Sequence, residues 1–343
     1  MLSQTARPRG QSWSRCLGKP AHSVHHIFEQ LGKSAYNKGM KIQPEIAQAL
    51  NSKQPVVALE STLITHGLPY PDNVETAAAM ETAVRDAGAL PATIAILQGE
   101  IHIGLTADQL EYLGTRPMAA VRKCSRRDLP LALARGEDGA TTVAGTMILA
   151  HRAGIELFAT GGIGGVHRGH PFDVSADLTE LGQTAVTVVC SGAKSILDLP
   201  ATRELLETNG VPVIGYQTDE MPAFFSPTSG LPVDLRVETA AEAAAVIQAQ
   251  RQLGLANGIL ITVPVPVADA FDPDEAEAAI QQATREADAQ GIHGPAATPW
   301  LLRRVVAITG GRSLRANRAL LINNGRTAAA VAVVYAQYQR TAV

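Results

Sequence analysis

Cysteine is scarce in this 343-residue chain, and the three present, Cys16, Cys124 and Cys190, are odd in number and far apart. That argues against a disulfide framework and against a cysteine-type zinc site, and it fits a reducing compartment. Aromatic residues make up only 4% of a chain that is 46% hydrophobic, so any core is aliphatic, and the length suits one large core. No excess of basic charge exists to meet nucleic acid: the formal net charge is -3. No uninterrupted apolar run is long enough to span a bilayer, and no secretory apolar region opens the chain. The expectation is a water-soluble protein that works on a small molecule, in the cytoplasm.

The first 39 residues differ from the rest. Arg7, Arg9, Arg15, Lys19, Lys33 and Lys38 face one acid, Glu29, amid serines and glycines. Such a start resembles an organelle transit peptide, while Met40-Lys41-Ile42 would open a domain naturally if the start lies there. Either way residues 1–39 are expected to be an extension and 40–343 a single domain.

From Met40 onward, apolar runs alternate with alanine-rich stretches. Val56 to Leu59, Thr93 to Leu97, Leu157 to Thr160, Val186 to Val189, Val213 to Tyr216 and Gly258 to Val263 read as strands. Residues 73–87, 140–153, 239–253 and 273–290 read as helices, the last with Asp272 as cap and Pro273 in its first turn. This alternation predicts an α/β fold: a layered sandwich with a central mixed, largely parallel sheet flanked by helices.

Candidate chemistry sits at the strand ends, where α/β folds bind ligands. Lys194 follows the apolar run Thr187 to Cys190 through a Ser191-Gly192-Ala193 turn. A desolvated lysine there can attack a carbonyl-like carbon; alternatively it snorkels from the strand end. Glu60 directly follows Val56 to Leu59, as a general acid or as a cap for the next segment. Lys123 is expected just after a strand ending at Arg122, opening a run Cys124-Ser125-Arg126-Arg127-Asp128 suited to an anion, unless those arginines are simply solvated. Gly161 to Gly169 is the richest glycine stretch and suits close approach of a phosphate. It fails as a dinucleotide signature, because the third glycine and a following acidic strand are missing. Asp173 and Asp177, four apart, offer hard oxygen ligands for Mn²⁺ or Mg²⁺, or else Ser175 or Asp177 caps a helix.

Five blocks in this order, Ala58 to Gly67, Pro91 to Ile96, Lys123 to Pro130, Thr160 to Gly169 and Ser191 to Asp198, resemble the pseudouridine-5'-phosphate glycosidase family. The resemblance runs from about Met40 to the end, through Gly215 to Thr218 and Asn323-Asn324. It implies reversible cleavage of pseudouridine 5'-phosphate to uracil and ribose 5-phosphate, with Glu60 as proton donor and Lys194 as nucleophile forming a Schiff base. It further implies that Lys123, Val143, Ser175, Ala176 and Asp177 contact substrate, that His167, Asn317 and more weakly Thr160 belong to the site, and that Asp173 holds Mn²⁺. A lysine at 123 near Lys194 would also depress the nucleophile's pKa. A homotrimer and a pseudouridine kinase as pathway partner are implied by the same resemblance. The loop between His167 and Asp173 is shorter than the family pattern. Two other readings stay open: Ser191-Gly192-Ala193-Lys194 has the Ser-x-x-Lys spacing of serine hydrolases, and the chain could bind a sugar phosphate without catalysis.

Overall fold

The computed structural model describes residues 39–294 and 297–341. The expectation for residues 1–39 lies, Gly39 aside, outside the described residues. From Gly39 onward the chain clusters as one compact unit.

The strands, in chain order, are β1 (Met40–Ile42), β2 (Val56–Leu59), β3 (Leu90–Leu97), β4 (Glu100–Ile103), β5 (Val121–Cys124), β6 (Asp138–Thr141) and β7 (Leu157–Ala159). They continue with β8 (Val166–His167), β9 (His170–Val174), β10 (Thr187–Cys190), β11 (Leu197–Asp198), β12 (Val213–Tyr216), β13 (Leu235–Val237) and β14 (Ile259–Thr262). The helices are α1 (Pro44–Asn51), α2 (Asp72–Asp86), α3 (Ala107–Thr115), α4 (Leu129–Arg135), α5 (Val143–Ala153) and α6 (Ala176–Leu181). After them come α7 (Leu199–Thr208), α8 (Ala240–Gln252), α9 (Pro273–Ala289), α10 (Ala297–Ile308) and α11 (Arg312–Thr341).

The central sheet has the order β1-β4-β3-β2-β7-β10-β14-β12-β13, with β6 and β5 branching from β3. It is mixed but largely parallel: β3 runs against β4 and β6, while β2, β7, β10, β14, β12 and β13 all run together. Every residue of β2, β10 and β14 is buried. That is the reason these strands read as continuous β-branched runs rather than as alternating patterns. The core is aliphatic, with Phe158 among its few aromatic side chains.

Local chemistry sets the element ends. The Thr239 hydroxyl caps α8 by accepting from the Glu242 N–H, and the Asp272 carboxylate caps α9 by accepting from the Asp274 and Glu275 N–H groups. Two expectations shift. Residues 140–141 end strand β6, and the helix begins only at Val143, because Thr142 turns the chain and its hydroxyl accepts the Gly145 N–H. Lys123 lies inside β5 rather than after a strand, since Met118–Ala120 forms a 3₁₀ turn behind Pro117.

Helix α11 is long and apolar enough, by length and composition, to cross a membrane, with a mean hydropathy of 1.2 in its most apolar window. Here 56% of that window is buried, and the helix packs on α2, α8 and strands β2, β7 and β10. It is a core helix of the sandwich.

Candidate active site

Parallel pairing brings three strand ends side by side: Leu59 of β2 faces Ala159 of β7, and Ala159 faces Val189 of β10. The residues that leave these ends converge. Glu60 comes after β2, the Thr160-Gly161-Gly162 run after β7, and the Ser191 to Lys194 turn after β10. They open on a cavity of ≈ 710 Å³, within the usual range for a small-ligand pocket.

Both oxygens of the Glu60 carboxylate are held, one by the Thr62 hydroxyl and the other by the Thr160 hydroxyl. Lys194 is placed by backbone: its N–H donates to Ile163 O at 3.1 Å, and its ammonium donates to Gly162 O at 2.5 Å. The turn before it requires glycine at 192, where φ is +78° and a Cβ would collide with Pro222 O. Phe224, itself at φ 60°, donates its N–H to Ser191 O and lays its ring against Gly162.

Lys123, Val143, His167, Asp173, Ser175, Ala176, Asp177 and Asn317 all line the same cavity as Glu60 and Lys194. Burial first and the Lys194 charge second hold the Lys123 ammonium below the usual lysine range, with Asp177 and Glu60 pulling the other way. The His167 imidazole is also lowered, chiefly by burial. His66, from the π-helical turn Leu63–Gly67, joins the wall. At the mouth, Arg126 makes a two-point contact with Glu180 at 2.8 and 2.7 Å, while the Arg127 side chain is 77% exposed.

Asp173 sits on β9, where one carboxylate oxygen accepts the Gly294 N–H at 3.3 Å. Among the described residues its other oxygen accepts no hydrogen bond. A single hard carboxylate facing a cavity fits a cation that keeps most of its waters, as Mn²⁺ or Mg²⁺ does.

Set beside known proteins, the chain matches the family model described as indigoidine synthase A like protein over residues 45–334. The chain belongs to the indigoidine synthase A-like family. Among its relatives, a protein named pseudouridine-5'-phosphate glycosidase from Caldanaerobacter subterraneus subsp. tengcongensis is 54% identical over 299 residues, covering 87% of this chain and 97% of the relative. Another of that name from Escherichia coli K12 is 52% identical over 305 residues, covering 88% and 96%. The crystal structure of the prealnumycin C-glycosynthase AlnA in complex with ribulose 5-phosphate superposes with a TM-score of 0.81 at 42% identity, covering 88% of this chain and 98% of that one. An indigoidine synthase A-like protein from Thermotoga maritima superposes at 0.78 with 36% identity, covering 86% and 95%.

In this indigoidine synthase A-like chain two sequence alternatives resolve differently. Asp177 is 5% exposed and spends both oxygens on backbone: Oδ1 accepts the Ala144 N–H at 3.0 Å and Oδ2 the Gly164 N–H at 2.8 Å. It therefore braces α5 to the glycine stretch and does not pair with Asp173 as a metal ligand. Ser175 is the helix cap, its Oγ accepting the Asp177 N–H. Ser191 does not line the cavity. Its hydroxyl is fully buried and hydrogen-bonded to Asn324, whose amide also donates to Thr160 O. A serine so placed cannot act as a hydrolase nucleophile with Lys194.

Nothing in the residue pattern marked Thr62, His66 or Phe224 as site residues, and Asn324 had only the resemblance behind it. Thr62 comes two positions after Glu60, but a threonine there reads as a turn residue. Asn324 is a fully buried amide in an apolar helix, a burial cost that only hydrogen-bonding accounts for.

Burial, and then the Lys123 charge, lower the His66 pKa from 6.5 to about 4. Unfolded, the imidazole protonates near the ordinary value, so as pH falls from about 6.5 to about 4 the unfolded chain binds the extra proton. The stability that neutral His66 gives is complete above that window and lost as pH falls through it. His66→Gln, which cannot protonate, should therefore remove about 3 kcal/mol of the acid destabilisation between those limits. Urea midpoints of the two proteins at pH 7 and pH 4.5 test this, and parallel losses would refute it.

Proposed function

We propose that the chain is a pseudouridine-5'-phosphate glycosidase, reversibly cleaving the C–C glycosidic bond to give uracil and ribose 5-phosphate. The reading rests above all on one observation: the in-register ends of β2 and β10, on either side of β7, deliver a held carboxylate, Glu60, and a backbone-anchored lysine, Lys194, to one cavity. The name shared by its close relatives supports the substrate.

A carbon-bound uracil is a poor leaving group, and a lysine nucleophile provides a route around that difficulty. Glu60 gives its proton to the ribose ring oxygen as the neutral Lys194 amine attacks C1' and the ring C–O bond breaks. The attached nitrogen, now an ammonium, gives a proton back to the Glu60 carboxylate; its freed lone pair then forms a C=N bond as the C1'–C5 bond breaks, and uracil C5 takes the electron pair and that proton. Water adds to the Schiff base and releases ribose 5-phosphate and the free amine. The cleaving direction consumes water, so the enzyme is a hydrolase there and a carbon–carbon lyase by the bond it breaks.

Lys123, with Arg127 at the mouth, faces the substrate phosphate. The Val143 backbone at the start of α5 and the Ser175-Ala176-Asp177 segment shape its pocket, with His167 and Asn317 on the wall. Asp173 would hold a largely hydrated Mn²⁺ or Mg²⁺, whose charge orients the phosphate and offsets its negative charge. The reading also carries a homotrimer, a cytoplasmic setting and a pseudouridine kinase as supplier of substrate.

Incubation with pseudouridine 5'-phosphate and Mn²⁺, following free uracil by chromatography, is the direct test. Without its phosphate the nucleoside should react with a kcat/KM at least about 100-fold lower, because the binding energy of the anion is lost at the transition state too. Equal values would sink the phosphate assignment. No uracil at all would sink the activity.

A further inference from the structure

Outside the cavity, three exposed side chains from separate segments converge. The ligand-bearing atoms of His170, Asp288 and His293 all lie within 4.8 Å of one another. His170 Nε2 is 3.7 Å from Asp288 Oδ1, and the two imidazole rings meet edge to face at 4.8 Å between centroids. His170 opens β9, Asp288 lies in the last turn of α9, and His293 comes five residues later. The chain between the last two is fixed by a left-handed glycine: Gly291 has φ 66°, its N–H donates to Asp288 O at 3.1 Å, and the Ile292 N–H donates to Ala287 O at 3.0 Å. Asp288 and His293 are thus set at the carboxyl end of α9, where the helix dipole favours a cation.

We propose that His170, Asp288 and His293 form a second metal site, which takes Zn²⁺ or a similar nitrogen-seeking ion such as Co²⁺ or Ni²⁺. Two imidazoles and one carboxylate are the donor set of three-ligand zinc sites, with a fourth position left to water. Tetrahedral ligands at about 2.0–2.1 Å from zinc stand roughly 3.4 Å apart, so closing these atoms onto an ion needs side-chain rotation only. The donor chemistry separates this site from Asp173, a lone hard carboxylate that suits Mn²⁺ or Mg²⁺.

The site has a mechanical consequence. In the β8–β9 hairpin His170 pairs with His167, and Asp173 lies farther along β9 with its carboxylate on the Gly294 N–H. A bound ion ties that hairpin to the end of α9 and to the residue preceding Gly294. Arg168, bonded to Glu277 at 2.6 Å, already ties the same two elements lower along the helix. Zinc would therefore stiffen the wall that carries His167 and Asp173.

Calorimetric titration of metal-stripped protein with Zn²⁺, and with Co²⁺ followed by its tetrahedral visible absorption, should give one equivalent bound. His170→Ala and His293→Ala should each weaken zinc by more than about 100-fold, since loss of a partner beyond the ligands alone costs about 10- to 100-fold. Asp173→Ala should leave zinc affinity unchanged. Zinc should also raise the melting temperature of the parent protein and not of the histidine variants. Both histidines are exposed, so the variants should keep the parent's melting temperature and uracil release when zinc is absent. Absence of zinc binding by the parent, binding undiminished in the double histidine variant, or binding lost in Asp173→Ala alone would each overturn the proposal.

Discussion

Lys194→Ala should lose turnover of pseudouridine 5'-phosphate by a factor of about 10⁴ or more, because the amine that forms the covalent bond is gone. The fold should survive. Lys194 is anchored through its own backbone, and the Ile163–Ala193 bridge beside it does not involve the side chain. Borohydride added during turnover, or to enzyme with ribose 5-phosphate and uracil, should reduce the C=N bond and fix the sugar phosphate to the protein. Peptide mapping should place it on Lys194, and the alanine variant should trap nothing. Lys123 is the rival. It is the other lysine on the cavity wall, and burial and the Lys194 charge lower its pKa. What separates them is position: Lys194 follows the end of β10, across β7 from Glu60's strand β2, while Lys123 lies inside β5, on the branch reached through β6 and β3. Label found on Lys123, or trapping undiminished in Lys194→Ala, would exchange the two roles while leaving the overall reaction intact.

The placing of Glu60 and Lys194 was legible because both come after fully buried strands. A β-branched run such as Thr187 to Cys190, with no charged residue to give it a solvent face, reads as an inner strand of a covered parallel sheet, and the residues beyond it emerge at the carboxyl edge. Nothing local says which strands are neighbours. The order β3-β2-β7-β10 is set by packing across the whole sheet, so that Glu60, Thr160 and Lys194 meet only once the pairing is known. The Asp173–Asp177 spacing offered two hard oxygen ligands, yet Asp173 is on a strand and Asp177, in the first turn of α6, gives both oxygens to backbone N–H groups. The Ser-x-x-Lys spacing failed in a similar way, since Gly192 turns the chain and sends Ser191 inward to Asn324. Helix α11 was missed because its buried stripe is built largely of small residues, alanine foremost, and a small-residue face carries little periodic signal.

Glu60→Gln should lower kcat for pseudouridine 5'-phosphate by about 10²- to 10⁴-fold, the usual worth of a positioned general acid, while substrate binding changes little. The two threonine hydroxyls complicate the substitution. Thr62 and Thr160 each donate to one carboxylate oxygen, so a glutamine must turn its NH₂ towards one of these donors. A modest structural cost would therefore accompany the chemical one, and activity with the natural substrate cannot tell them apart. Trapping with two substrates does. From pseudouridine 5'-phosphate, Schiff-base formation requires protonation of the ring oxygen, which the glutamine cannot provide. From ribose 5-phosphate, the open-chain aldehyde that forms in solution can meet Lys194 without that proton. Borohydride labelling of Glu60→Gln should accordingly be almost abolished with the first compound and largely retained with the second. An equal loss with both would mean that Glu60 merely shapes the pocket around Lys194. Undiminished labelling with both would move the ring-opening proton to another group on the wall.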